Sequence, residues 1–368
     1  MKTELNKANR VVIKIGSSII DNKNDVSIAN ICDGISQYLK DDKEVLLVTS
    51  GAISQGMKVM NIQERPKDIK KLQSLAAIGQ QKLMLLYEKY LSNYNHRTAQ
   101  VLITHNDIND RVRYLNIKGT LEELISNKVI PIINENDVVS TEEIKLGDND
   151  NLASMISNIV NADLMIILTD QKGMYDKNPD KFDTAKLINR VNIENLKELD
   201  SDFSTQSETG TGGFITKIQA AKRAALSNTY TMIASGFENN ILSELLNKDS
   251  VGTLFIPGEK KLSSKRQWLD TTDNRGSIII DSGACKALSN NKSLLFVGVS
   301  DIEGDFQKGD VIQCKNEKDI CIAKGIVNYS SEEVVKMKGM SMSDIKSMHG
   351  NAYTKELIHI DNLLVIET

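Results

Sequence analysis

The chain is poor in the residues that staple or interrupt folds. Its four cysteines, Cys32, Cys285, Cys314 and Cys321, are scattered through 368 residues with no CxxC pair and no paired histidine. That spacing excludes a zinc finger or a disulfide framework and fits a reducing cytoplasm. Four prolines and the lack of any low-complexity run leave little room for disordered linkers. Long hydrophobic runs are missing as well. The stretch VVIKI is far too short to cross a membrane, and MKTELNKANR lacks a signal-peptide core, so a cytoplasmic protein with no membrane partner is expected. Nor is there an excess of one charge: 45 Lys plus Arg face 49 Asp plus Glu, a net charge of −4, which gives no general attraction to nucleic acid or anionic lipid. What is present is 40% hydrophobic and 26% charged residues, enough for a sizeable core in one large or two ordinary domains.

The most informative stretch is VIPIINENDVVSTEEIKLGDNDNLASMISNIVNAD, Val129 to Asp163. A short apolar strand breaks into Asn134, Asn136 and Asp137. An acidic excursion ends in Gly147-Asp148-Asn149-Asp150-Asn151, and a helical pattern follows at Leu152, Met155, Ile156, Ile159 and Val160. Polar groups thus leave one strand and recur where a helix begins, the crevice in which open α/β sheets bind ligands. A single Asp there is explained by capping; two clusters so close together point to a site.

Other segments repeat the theme. Arg10 to Ile15 reads as a β-branched strand interrupted by Lys14 and followed by Gly16-Ser17-Ser18. An ammonium in a buried strand needs a partner, so the alternatives are an edge strand with Lys14 in water or an anion site. Val45 to Val48 ends in Thr49-Ser50-Gly51-Ala52, and Leu164 to Leu168 ends in Thr169-Asp170. Helices are expected over Ile28–Leu39 and Leu115–Ile125, and a five-turn apolar stripe runs from Leu72 to Tyr90. Ala99–Ile103 and Thr231–Ala234 read as further strands, and Ser250–Phe255 as the one that closes this domain. Asp176 to Asp180 lacks the spacing of a calcium loop and reads as a turn, and Asn189–Ser207 as a polar loop with one short helix. Gly210 to Lys217 (GTGGFITK) reads as a glycine loop feeding an Ala-rich helix from Ile218, a cradle for phosphate that lacks Walker A spacing. After a polar, basic linker over 258–275, short strands at Ser277–Ile280, Leu294–Val299, Asp310–Gln313, Ile320–Ile326 and Leu363–Ile366 describe a small β-rich second domain.

In this order, KIGSS, VTSGAI, INENDVV, GDNDNL, LTDQKG and GTGGFITK resemble the glutamate 5-kinases of the amino acid kinase superfamily, over essentially the whole chain. SLLFVGVSDIEGDFQKGDVI and AYTKELIHIDNLLV are similar to a PUA domain. The resemblance implies a three-layer α/β/α sandwich on an open, mostly parallel sheet over 1–257, and a PUA-like barrel over 276–368. It implies transfer of phosphate from ATP, with Mg²⁺, to the γ-carboxylate of L-glutamate, the first step of proline biosynthesis. It further implies a homodimer or homotetramer and feedback inhibition by proline.

Carried over position by position, Lys14 and Lys217 are the cations at the transferred phosphoryl group, and Asp150 orients both. Ser50, Asp137 and Asn149, with Asn134 beside them, bind glutamate. Lys14, Thr169, Asp170 and the run Thr211, Gly212, Gly213, Phe214, Ile215, Thr216 and Lys217 bind ATP. Phe214 and Ile215 depart from the family, whose members often have a hydroxyl near position 215. No protein metal ligands are assigned. A carboxylate nucleophile is already ionised at neutral pH, so the lack of a His or Cys nucleophile is expected. The rival readings are a related kinase acting on aspartate, acetylglutamate or carbamate, and an RNA-binding protein. Residues 275–368 hold 11 basic against 13 acidic residues, a balance of −2 that disfavours RNA.

Overall fold

The computed structural model describes residues 2–21, 26–140, 149–177, 179, 181–195, 212–258, 268–269, 272, 274–349 and 356–366. By its internal contacts the chain divides into two units, Met1–Lys261 and Leu262–Thr368.

Among the described residues the first unit is built on eight strands: β1 (Arg10–Ile15), β2 (Glu44–Thr49), β3 (Arg97–Ile103), β4 (Val129–Glu135), β5 (Leu164–Thr169), β6 (Arg190–Asn192), β7 (Tyr230–Ser235) and β8 (Thr253–Ile256). Their order across the sheet is β3-β4-β2-β1-β5-β7-β8-β6. Pairing is parallel from β3 to β7, β8 runs antiparallel to β7, and β6 is parallel to β8. The helices used below are α1 (Lys2–Lys7), α2 (Ser17–Ile20), α3 (Val26–Lys40), α4 (Ala52–Val59), α5 (Ile69–Leu91), α6 (His105–Asn109), α7 (Arg111–Ser126), α8 (Asp150–Ile159), α9 (Gly212–Ala225) and α10 (Ile241–Asn247).

Alternation along β1 explains the layers. Val11, Ile13 and Ile15 join one core with residues of α3, α5 and α10. Val12 and Lys14 point to the opposite face, where α8 packs on β1 and β5. Both faces are covered, which is why β1, β2 and β5 read as almost continuous apolar runs. Lys14 is therefore not on an edge strand: β1 is central, and Lys14 is only 4% exposed.

Several sequence expectations shift. The polar segment from Asn189 contains an edge strand, β6, and a 3₁₀ turn at Ile193–Asn195. β6 has only three residues, Val191 buried between two exposed polar ones, and one such alternation is too short to mark a strand. The helix expected from Leu115 starts at Arg111, because Asp110 caps it by accepting from the Arg113 amide at 2.9 Å. Among the described residues, Gly212 to Lys217 are the first turns of α9, so these positions are helix and not a loop preceding one. The turn expected at Asp176–Asp180 includes Asn178 and Asp180, which lie outside the described residues, as do Gly147, Asp148, Gly210, Thr211 and most of the segment 258–275.

In the second unit five strands, β9 (Gly276–Ile280), β10 (Val299–Gly304), β11 (Val311–Lys315), β12 (Cys321–Ile326) and β13 (Leu363–Val365), form one sheet in the order β10-β9-β11-β12-β13. Ile278, Ile280, Phe296, Phe306, Ile312 and Leu363 fill its core. The run Leu294–Val299 is not one strand. Leu294 bridges Ile358, Phe296–Gly298 makes a 3₁₀ turn, and β10 begins at Val299.

Candidate active site

The carboxyl end of β1 and the starts of α8 and α9 converge on one acid. Asp150 is the first residue of α8 and is fully buried. Its Oδ1 lies 2.7 Å from Lys14 Nζ at the end of β1, and its Oδ2 lies 2.9 Å from Lys217 Nζ on α9. Thr216 donates to the same Oδ2 at 3.3 Å. One carboxylate thus holds two ammonium groups from distant parts of the chain. Burying three charges is costly unless each is paired, and here each is. A second requirement of the arrangement is excess positive charge: two cations on one anion leave a net positive centre suited to a polyanionic ligand.

Next to Asp150, Asn149 is also fully buried. Its Nδ2 donates to the Thr49 carbonyl at 2.7 Å and to Asn134 Oδ1 at 2.8 Å. A carbonyl can only accept, so the amide has one orientation and its Oδ1 is turned away, with no partner among the described residues. Ser50 Oγ and Asp137 Oδ1 are likewise buried without a partner among the described residues. Unpaired buried polar atoms are rare and costly in folded proteins. Three of them fall on Ser50, Asp137 and Asn149, the residues expected to bind one small polar molecule. Both N–H groups of Asn149 are used, so what it offers a ligand is an acceptor.

Burial is the main cause that drives the Asp137 carboxyl up to about 7; the nearby Glu135 carboxylate adds to the rise, and Arg65 opposes it. A cation brought beside Asp137 would therefore favour its ionised form. It also lines a cavity of about 380 Å³ with Gln80, Gln81, Met84, Leu102 and Glu135, which does not extend to Lys14, Asp150 or Lys217.

Backbone geometry sets these groups in place. Gly51 adopts a left-handed conformation (φ 100°) that turns the chain sharply from β2 into α4 directly after Ser50. Helices α4 and α5 then cross at backbone contact. A Cβ on Gly79 would lie 1.8 Å from the Ala52 carbonyl oxygen, and one on Gly56 1.9 Å from that of Leu75.

The other expected positions lie nearby in the fold or beyond the described residues. Thr169 ends β5, nearly buried, and donates to Asp170 Oδ1 at 3.0 Å; Asp170 is exposed. Gly212, Gly213, Phe214 and Ile215 open α9, with Ile215 exposed. Thr211 is outside the described residues. One residue was missed. Gln80, on α5, accepts from Asn134 Nδ2 at 2.9 Å, and its own Nε2 is buried without a partner among the described residues. In the sequence it sits inside an apolar stripe that reads as core, and nothing in that stripe marks it.

Comparison with known proteins agrees with the fold. Residues 9–235 match the model of the amino acid kinase family, and residues 276–349 that of the PUA domain. The glutamate 5-kinase of Thermoanaerobacter sp. (strain X514) is 43% identical over 364 residues, covering 97% of this chain and 98% of its own. That of Nitrosospira multiformis is 40% identical over 377 residues, and that of Cupriavidus metallidurans 42% over 373, each covering 100% of both chains.

Proposed function

Because the chain belongs to the amino acid kinase family and is similar along its whole length to glutamate 5-kinases, we propose that it phosphorylates the γ-carboxylate of L-glutamate with ATP. The observation that carries the reading is the buried pair of lysines held on Asp150. In the reaction a γ-carboxylate oxygen attacks the γ-phosphorus. A new phosphorus–oxygen bond forms, the bond to the β,γ-bridging oxygen breaks, and ADP leaves with that electron pair. No base is needed, since the nucleophile is already an anion.

The difficulty is charge, because an anion must approach a polyanion. Phosphoryl transfer is catalysed chiefly by positioning and electrostatic stabilisation. Lys14 and Lys217 supply two positive charges at fixed positions, and Asp150, too anionic to touch phosphate, keeps them there. The free backbone N–H groups at the start of α9 add to the field, as a helix N-terminus does for phosphate. Thr169 and Asp170 at the end of β5 contact the nucleotide. Mg²⁺ arrives on the ATP phosphates as part of the substrate and neutralises some of their charge. At the other end, Asp137 and Asn149 Oδ1 receive the α-ammonium group of glutamate, and Ser50 donates to a carboxylate. Molecules lacking the amino group would leave Asp137 buried and unpaired, and so are rejected.

The product is glutamyl 5-phosphate, an acyl phosphate placed at the first step of proline formation. The same reading includes proline as a feedback ligand beside the glutamate site and a homo-oligomer joined through the kinase unit. Among the described residues no helix is long and apolar enough to cross a membrane. The test is ATP consumption with and without glutamate and proline, with hydroxylamine present to trap acyl phosphate. The reading requires glutamate hydroxamate; a stronger signal with aspartate, acetylglutamate or carbamate would reassign the substrate.

A further inference from the structure

Gln80 stands at the end of a chain of amides whose direction is fixed at its other end. The Thr49 carbonyl takes one Asn149 N–H and Asn134 Oδ1 takes the other. Asn134 must then present its own N–H side to Gln80, whose Oε1 accepts it. This leaves Gln80 with only its amide nitrogen free. The relay therefore has two open ends of opposite character. Asn149 Oδ1 is an acceptor, Gln80 Nε2 is a donor, and both atoms are buried and have no partner among the described residues. An amino acid offers the complementary pair, a donating ammonium group and an accepting carboxylate.

The order of contacts assigns the carboxylate. Lys14 and Lys217 meet Asp150; Asn149 precedes Asp150; Asn134 and then Gln80 lie successively further along the relay. The donor end is the end away from the lysines, so it faces the non-reacting group. We propose that Gln80 Nε2 donates to the α-carboxylate of the substrate and is a specificity-determining residue, distinguishing an α-amino acid from the corresponding amine lacking that carboxylate. This rests on the glutamate reading above. The close crossing of α4 and α5 at Gly56 and Gly79 fixes the backbone immediately before Gln80, so the donor is held in place before substrate arrives.

The test compares L-glutamate with 4-aminobutanoate, which keeps the amine and the reacting carboxylate but lacks the α-carboxylate. Three proteins are measured: the wild type, Gln80→Glu and Gln80→Leu. Gln80→Glu preserves size and the acceptor for Asn134 and removes the donor. In either variant KM for glutamate is expected to rise about 10- to 100-fold, the size of a lost hydrogen bond to a charged group, with kcat nearly unchanged. The wild-type preference for glutamate over 4-aminobutanoate is expected to shrink by the same factor, with Gln80→Glu the more severe for glutamate because it sets a carboxylate against a carboxylate. Equal losses with both substrates, or a preference unchanged in a variant that melts at the wild-type temperature, would overturn the proposal. If the wild type itself consumes no ATP with glutamate, the substrate reading fails first and this assignment falls with it.

Discussion

Lys14 Nζ and Asp150 Oδ1 lie 2.7 Å apart, the lysine at the carboxyl end of a central strand and the aspartate at the first residue of a helix packed on that strand. Neither is meaningfully exposed. The parity of β1 puts Lys14 on the face that α8 covers, and α8 begins with the only kind of residue that makes the burial of an ammonium there tolerable.

Lys14→Ala should lower kcat by about 10²–10³, the usual loss when one preorganised charge donor is removed, with a smaller change in the KM for glutamate. Steady-state kinetics with each substrate varied in turn checks this. Near-normal turnover would remove Lys14 from the reacting centre.

Asp150→Ala leaves two ammonium groups buried against each other. Breaking a buried ion pair by deleting one partner costs about 3–5 kcal/mol. A clearly lower Tm is expected, together with a large loss in kcat. MgATP should restore more of the Tm in the variant than it adds to the wild type, because its phosphates replace the missing anion. Melting curves with and without nucleotide decide it, and equal shifts would contradict the balance of charges described here.

Asp137 makes the site pH-dependent in a stated direction. Its carboxyl is raised to about 7 by burial, while an unfolded chain has it near about 3.9. Only the ionised form can pair with an ammonium group. The kcat/KM for glutamate should therefore rise as pH increases from about 5.5 and level off above about 7. For stability the sign is opposite. The penalty of the buried carboxylate is absent below the unfolded pKa and is fully felt once pH has passed the folded value. Asp137→Asn should thus bind glutamate poorly, lose this pH profile, and melt higher than the wild type at pH 8 but not at pH 4.

Gly79→Ala tests whether the site depends on the helix crossing. The added methyl would fall 1.8 Å from the Ala52 carbonyl oxygen and 2.3 Å from the Gly56 amide nitrogen, backbone atoms that cannot yield. Overpacking of this kind costs about 1–3 kcal/mol, or more. Tm should fall, and the KM for glutamate should rise because Ser50 and Gln80 flank the displaced helices. A stable variant with unchanged KM would show the crossing to be incidental.

Much of this arrangement was legible in the sequence because it rests on strand ends. A lysine within VVIKI, polar residues after VIPII and an acid opening an amphipathic segment each signal burial against an expected partner. Other parts rest on long-range geometry that local pattern does not contain. Gln80 is one polar residue in an apolar stripe, and only the fold brings it beneath Asn134. The short strand β6 has only three residues in which to alternate, and it is its pairing with β8 that defines it. Gly212 and Gly213 look like loop residues because glycine weakens helices, yet α9 begins there, its next turn carrying Thr216 and Lys217 to Asp150. The direction of the Asn149 amide could not be read either, since it is set by the Thr49 carbonyl.

The most direct measurement is a crystal structure with a non-hydrolysable ATP analogue, Mg²⁺ and glutamate bound. Both ammonium groups, of Lys14 and Lys217, are expected within hydrogen-bonding distance of the terminal phosphate or the oxygen that attacks it, with Asp150 still between them. A closed, fully occupied site in which either ammonium group lies well away from the terminal phosphate would contradict the account.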